Sequence, residues 1–351
     1  MKHLTILIAT VYVLASCAIS CKAIDKQEGP TKLQNGIYYW KTTFSLDKEE
    51  QAFLSRHNIR KLYLRMFDVA IEDWGDPEPI ATIKFETEVP DTLEIVPAVF
   101  ITLDALERCE GTESEMAEKI VKRINAICSY NEIKNVREVQ FDCDWTRSTR
   151  LVYYKLCDAA REILHKQSKE LSGTIRLHQV EEAAYPFDRG VLMLYNTGAI
   201  KDPDTENSII SYSDVSKYLG LKERIKKFRK ARKENCSVID FAYPTFCWGV
   251  VYHKNGSFDG LVDVFDFENQ EWLTKESDTK YILTEEHIHN GNHYWRGQFI
   301  RTEYSDIDEV LKVKELVDKT LRDGNSSSII YHLDSKNLSK YADHEIEEIY
   351  R

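Results

Sequence analysis

Eight short runs rich in β-branched and aromatic residues recur along the chain, at 37–44, 61–67, 94–102, 138–145, 174–179, 191–196, 237–243 and 328–334. Between several of them the apolar spacing changes to three and four, the period of a half-buried helix. Segment 113–130 carries Met116, Ile120, Ile124 and Ile127 at that spacing. Segment 149–167 carries Leu151, Leu156, Ala159, Ala160, Ile163 and Leu164. Segments 47–57 and 307–321 read as further helices, and Thr112 with Glu115 has the form of a capping box. Strands alternating with helices imply parallel strands joined by crossovers. Eight of them predict an α/β fold, a (β/α)8 TIM-type barrel over residues 36–340. A doubly wound open sheet competes, but no Gly-x-Gly-x-x-Gly follows the first strand. Residues 247–305 break the pattern and read as a large insertion before the last strand, with a hairpin around Asn255-Gly256. Residues 341–351 read as a C-terminal tail.

The N-terminus carries an address. Lys2 and His3 precede an apolar run, 4–15, broken only by Thr5, Thr10 and Tyr12, too short for a permanent membrane span. It ends in Leu14-Ala15-Ser16-Cys17, which resembles the bacterial lipobox. That resemblance implies a signal peptide over 1–16, lipidation of Cys17 and a polar tether over 17–35. It further implies a lipid-anchored protein of the bacterial cell envelope, on the outer membrane. A plain secretory signal is the alternative, and Cys21 is a second candidate for lipidation.

Composition narrows the rest. The 351 residues hold 47 Lys and Arg against 58 Asp and Glu, a formal charge of −11, which argues against a nucleic-acid partner. With 42% hydrophobic and 30% charged residues the chain is apolar enough to fold. The six Cys beyond the tether (109, 128, 143, 157, 236 and 247) have no tight spacing, so buried thiols are expected rather than a zinc ribbon, with one disulfide left open. Phosphate loops, Gly-x-Ser-x-Gly elbows and His-Glu-x-x-His are absent from the sequence, so neither cofactor nor metal is expected. His287, His289 and His293 read as loop histidines rather than metal ligands. Segment 222–233 holds eight Lys and Arg in twelve residues. Its apolar stripe of Leu221, Ile225 and Phe228 makes a charged outer helix face the expectation, and contact with an anionic surface the alternative.

The strand ends carry the candidate chemistry. In Val139-Gln140-Phe141-Asp142-Cys143-Asp144-Trp145 alternation puts Gln140, Asp142 and Asp144 on one face and the apolar set on the other. The apolar set packs under helices, so the polar set points into the barrel, where unpaired carboxylates are costly. Both Asp lie at the C-terminal strand end, where barrel active sites sit. Strand two would turn Tyr63, Arg65 and Phe67 inward, and strand five Thr174, Arg176 and His178. Strand six ends in Tyr195 and Asn196, strand seven carries Asp240 and Tyr243, and strand eight offers Tyr331, His332 and Asp334. Two neighbouring carboxylates repel, so one holds its proton to higher pH, as a general acid for glycoside hydrolysis must. The alternative is a buried ion network that only seals the barrel.

Two resemblances rest on these residues. Gln140, Asp142 and Asp144, followed by Ser148, Thr149, Arg150, Leu151 and Tyr154, resemble an uncharacterised bacterial barrel family, domain of unknown function 3142. More distantly the chain resembles the family 18 glycoside hydrolases, chitinase-like barrels whose fourth strand ends Asp-x-Asp-x-Glu. Asp142-Cys143-Asp144-Trp145-Thr146 matches the two Asp, with Thr146 in place of the proton-donating Glu. Their sixth strand ends Met-x-Tyr-Asp/Asn, matched by Met193-Leu194-Tyr195-Asn196. In that family the Tyr and the last Asp steady the substrate's acetamido group as it attacks its own sugar carbon. The expected protein is a divergent glycosidase using Asp142 and Asp144, with Glu181 or Glu182 as other candidate acids. Trp40, Arg65, Gln140, Arg176, His178, Tyr195, Asn196 and Tyr243 would bind carbohydrate, with Trp248 as a further stacking surface. A glycan-binding lipoprotein without turnover, and an envelope scaffold without a sugar site, are the alternatives.

Overall fold

The computed structural model describes residues 34–72, 75–180, 184–236 and 238–351, the side chains of 231–235 excepted. The signal segment, Cys17, most of the tether and the candidate acids Glu181 and Glu182 lie outside the described residues.

Eight parallel strands close into a ring: β1 (Asn35–Tyr39), β2 (Ile59–Ala70), β3 (Glu94–Ile101), β4 (Glu138–Asp142), β5 (Glu170–Ile175), β6 (Arg189–Met193), β7 (Val238–Pro244) and β8 (Ser328–Tyr331). Closure is made by β1, which pairs with both β2 and β8; Ile37 lies level with Leu62 on one side and Ile330 on the other. Helices cover the outside: α1 (Lys48–Arg56), α2 (Leu103–Arg108), α3 (Glu113–Tyr130), α4 (Arg150–His165), α5 (Tyr212–Leu219), α6 (Lys222–Asn235), α7 (Ile307–Thr320), α8 (Ser335–Leu338) and α9 (Asp343–Tyr350). The apolar stripes read from the sequence are the faces they bury: Met116, Ile120 and Ile124 on α3, and Leu156, Ala160 and Leu164 on α4. At the start of α3, Thr112 is the N-cap residue but its side chain makes no capping bond. A full capping box forms instead at α1, where Asp47 and Glu50 bond each other's backbone. Close packing sets one requirement on β5: a Cβ at Gly173 would lie 2.3 Å from the Phe187 ring.

Two departures from the sequence reading matter. The segment read as a tail forms α9, with Ile346 and Ile349 buried and the Tyr350 hydroxyl donating to the Gly36 carbonyl at 3.0 Å. It is part of the helical shell. In β2 the register shifts at Met66, so Arg65 is level with Ala98 but Phe67 with Val99. This bulge reverses the alternation beyond it. Phe67 turns to the shell, beneath the guanidinium of Arg123 on α3, and Asp68 turns inward with Arg65.

The insertion lies between β7 and α7. Strands Cys247–Tyr252, Phe258–Val262, Leu273–Lys275, Lys280–Leu283 and Phe299–Tyr304 form an antiparallel sheet with its own apolar cluster around Val251, Trp272, Tyr281 and Ile300. Gly256 occupies a positive φ of 85° in the turn of the expected hairpin. Arg301 and Glu303 tie the sheet to the segment after β6. Glu303 accepts from Arg301 at 2.8 Å and from Ser208 at 2.5 Å, and Arg301 donates to the Asp202 carbonyl at 2.9 Å. No helix of the described residues is long and apolar enough to cross a membrane.

Candidate active site

The inward side chains of β4 climb through the barrel in three steps. Glu138, at the amino-terminal end, meets Lys61 at 2.5 Å and Arg189 at 3.5 Å, and Arg189 reaches Asp240 at 3.1 Å. This buried network plugs the barrel floor. Burial alone would raise the Glu138 carboxyl, but Lys61 and Arg189 outweigh it and hold it below the usual range. Asp240, the acid carried by strand seven, belongs to this floor and not to the cleft. Gln140 is the middle step, fully buried, accepting from the Tyr38 hydroxyl at 2.8 Å. Asp142 is the upper step. It is 4% exposed and accepts from the Thr174 hydroxyl at 2.7 Å.

Above Asp142 the strand ends open into a cleft of about 700 Å³. Asp144, half-exposed just past β4, lines it beside Asp142. Arg176, just past β5, hydrogen-bonds Asp144 through Nε and lies 3.7 Å from Asp142 through Nη2. Burial pushes the Asp142 carboxyl above the usual carboxylate range; Arg176 opposes this, and Asp144 and Asp68 add to it. Burial also disfavours the Arg176 charge, but the two carboxylates outweigh it and keep the guanidinium protonated. Arg65 grips Asp68 through two nitrogens, one at 2.8 Å, and lies 6.0 Å from the Trp40 ring centre.

Aromatic rings line the cleft. Tyr331, at the end of β8, has its ring centre 4.8 Å from Tyr195, 5.6 Å from Phe246 and 6.0 Å from Trp40. Trp248, on the insertion, packs 5.0 Å from Phe246 and donates its indole N–H to Glu303 at 2.7 Å. The Tyr195 hydroxyl is buried and has no hydrogen-bond partner among the described residues. An orphan donor beside a cleft is a group that a ligand oxygen can satisfy.

The structure therefore gathers Asp142, Asp144, Trp40, Arg65, Arg176, Tyr195, Asn196 and Trp248 around one cleft. His178 stands apart, because β5 ends at Ile175 and a short turn at Leu177–Gln179 carries His178 to a neighbouring cavity of about 250 Å³ that Asp144, Arg176, Tyr195 and Asn196 also line. Gln140 is sealed beneath the cleft. Tyr243 faces the shell, with the Arg322 charge close by, because it lies three residues from the inward Asp240 and so on the opposite face. Asp68, Phe246 and Asp263 line the cleft without having been read from the sequence. Asp68 is hidden by the bulge, and the other two lie in or beside an insertion without periodicity. Thr146 lines neither cavity: its amide N–H donates to the Thr149 hydroxyl at 2.9 Å and its own hydroxyl meets Ser148 at 2.8 Å. The last acid of this segment to face the cleft is Asp144, just past β4.

Elsewhere, no disulfide joins the six described cysteines to one another, and no group of three or more His, Cys, Asp or Glu among the described residues converges as metal ligands. His287 stacks on Trp272 at 4.4 Å, and His293 meets Glu286 at 2.7 Å.

No family model matches the chain, and no curated protein does. The resemblance to domain of unknown function 3142 thus gains no support. Solved structures do match in fold. The C-terminal domain of a putative chitinase from Desulfitobacterium hafniense aligns with a TM-score of 0.54 at 8% identity, over 91% of this chain and 99% of that one. A chitinase from Chromobacterium violaceum aligns at 0.51 and 9%, over 90% and 98%. The class V chitinase from Nicotiana tobaccum aligns at 0.50 and 10%, over 91% and 99%, and a mutant of it is known in complex with NAG4. The chain has the closed, eight-stranded fold of the chitinase-like barrels.

Proposed function

We propose that the cleft binds carbohydrate built from N-acetylated amino sugars and cleaves its glycosidic bond. The observation that carries this is the pair Asp142 and Asp144, one buried and one half-exposed, beneath a cleft walled by aromatic rings. Rings such as Tyr331 and Trp248 offer flat apolar faces to sugar rings, and their polar edges leave hydrogen bonds for hydroxyls. Asp144, which lines the cleft, takes the place of the proton donor that the resemblance put at Thr146. The proton it delivers to the leaving oxygen comes from Asp142, whose burial favours its neutral form, so the pair gives up one proton and is left with both carboxylates facing Arg176. The nucleophile in this reading is the substrate's own acetamido oxygen, steadied by the unpartnered Tyr195 hydroxyl.

One observation favours a second reading, glycan binding without turnover. Arg176 spans both carboxylates and competes with the sugar for Asp144. The readings separate on purified protein given an N-acetylglucosamine tetramer, with release of new reducing ends followed alongside binding. Turnover in the native protein that falls about 100-fold or more in Asp144→Asn, with KM little changed, is the expected result. Binding with no turnover would replace the hydrolase with the binding protein, and the absence of both would end the carbohydrate reading.

The setting proposed for this barrel is the bacterial envelope, lipid-tethered through Cys17. Its support is the Leu14-Ala15-Ser16-Cys17 sequence. Labelled fatty acid should enter the native chain in cells and not Cys17→Ser; equal labelling of the two would remove Cys17 as the anchor.

A further inference from the structure

One face of the helical shell reverses the charge of the molecule. Segment 222–233, most of α6, holds eight Lys and Arg and one Glu in a chain of formal charge −11. Among the described side chains of α6 only Phe228 is buried, with its ring centre 6.2 Å from that of Tyr185. Lys222, Lys226 and Lys227 are exposed and make no ion pair among the described residues. Arg229 holds the helix to the shell, donating to the Thr320 carbonyl at the end of α7 at 2.6 Å.

Between α6 and α7 lies a groove of about 850 Å³. Leu219, Ile225 and Leu316 form its apolar base, and Lys222, Lys226, Lys230 and Lys319 stand around it. No carboxylate lines it among the described residues. The acids in the last turns of α7 are held within the shell, Glu315 by Lys319 and Asp318 by Lys314 and Arg322. Leu221, just before α6, is 52% exposed. A hydrocarbon base inside a ring of ammonium groups matches the boundary of an anionic bilayer, where acyl chains lie beneath phosphate.

Topology sets which way this face looks. The helices that follow β6 and β7 run back from the mouth to the floor, so the last turn of α7, with Arg229 beside it, lies toward the floor. β1 also starts at the floor, at Asn35, so the segment with Leu14-Ala15-Ser16-Cys17 joins the barrel from that end. The cleft opens at the other end. The tether is a poor occupant for the groove, since residues 22–33 carry three Lys against one Asp and one Glu.

We propose that this face is a docking surface for an anionic phospholipid bilayer, with phosphate against the lysines of α6 and with Leu221 and Ile225 toward the acyl region. The same bilayer repels the rest of the chain, which is net negative, so the contact selects one orientation and holds the cleft away from the membrane. A polybasic contact of this kind adds to an acyl anchor. The inference is independent of the carbohydrate reading and takes only the bilayer, as occupant, from the envelope setting.

The test uses the full chain with Cys17→Ser and Cys21→Ser, so that no acyl chain contributes. It is sedimented with vesicles of phosphatidylcholine alone or with one third phosphatidylglycerol. At low salt it should partition about 100-fold more strongly onto the anionic vesicles, at roughly a fivefold gain for each lysine near the surface. The preference should vanish towards about 1 M salt. Adding Lys222→Gln, Lys226→Gln and Lys227→Gln should remove most of it. Replacing three exposed lysines elsewhere, Lys84→Gln, Lys119→Gln and Lys122→Gln, should leave it intact. No preference in the parent chain, or equal loss in both triple variants, would overturn the docking surface. Equal affinity for soluble polyphosphate at the same phosphate concentration would assign the face to a polyanion and overturn the bilayer as its partner. Fatty-acid labelling at Cys17 and oligosaccharide binding are read separately, so each of the three readings can fail alone.

Discussion

Asp142 is pulled two ways. Desolvation and the charge of Asp144 favour its neutral form, while Arg176 and the Thr174 hydroxyl favour its anion, and the balance leaves its carboxyl raised. The sign of the stability effect follows. A carboxyl whose folded pKa exceeds its unfolded value stabilises the fold while protonated, below that unfolded value, and the contribution is lost as pH rises through the folded one. Asp142→Asn removes the titration and keeps the shape and an acceptor for Thr174. The variant should gain thermal stability relative to the native protein as pH is raised from about 4 to about 7. A difference that stays constant or shrinks over that range would show that Asp142 is not raised. The inward aim of Asp142 was legible in the sequence, because period-two alternation beside an apolar set leaves a strand only one way to face. Asp68 was not legible, since nothing in the run from Lys61 to Asp68 announces the bulge at Met66. His178 was misplaced for a related reason. The apolar run continues past the last ladder bond of β5, so periodicity overstates the strand.

At the scale of elements, the helices were the clearest part. The expected segment 113–130 is α3 to the residue, and 47–57 is α1 with its two cap residues. Long amphipathic runs repeat the same apolar signal over several turns, whereas a five-residue barrel strand offers only two or three inward positions. That difference explains why the order of strands was readable but their ends were not. The C-terminal helix α9 was read as a tail because only Ile346, Ile349 and Tyr350 mark its buried side. The insertion stood out in the sequence by its loss of alternation, yet its role was hidden. Its buried Glu303 holds the Trp248 indole at the cleft and, through Ser208 and Arg301, the segment that follows Tyr195 and Asn196. Such a contact joins residues far apart in the chain and leaves no local pattern.

The whole molecule separates its two ionic layers. At the floor, Lys61, Glu138, Arg189 and Asp240 close on one another, buried and mutually paired. At the mouth, Asp142, Asp144 and Arg176 form a network that opens to a cleft, beneath aromatic rings from β6, β8 and the insertion. A sealing network therefore lies at the floor, whereas Asp142, Asp144 and Arg176, for which sealing was the alternative reading, line an open cleft. The barrel shares its fold with chitinases at about a tenth of identical positions, so the residues of the cleft itself must carry any statement about ligands. Calorimetric titration of an N-acetylglucosamine tetramer into the native protein, Tyr331→Ala and Tyr130→Ala addresses this most directly. Tyr331 lines the cleft, and Tyr130 is an exposed ring beside a separate cavity at the end of α3. Removing a stacking platform should weaken binding about tenfold in Tyr331→Ala and leave Tyr130→Ala as tight as the native protein. Unchanged affinity in Tyr331→Ala, or no heat of binding in the native protein, would contradict a carbohydrate site at the barrel mouth.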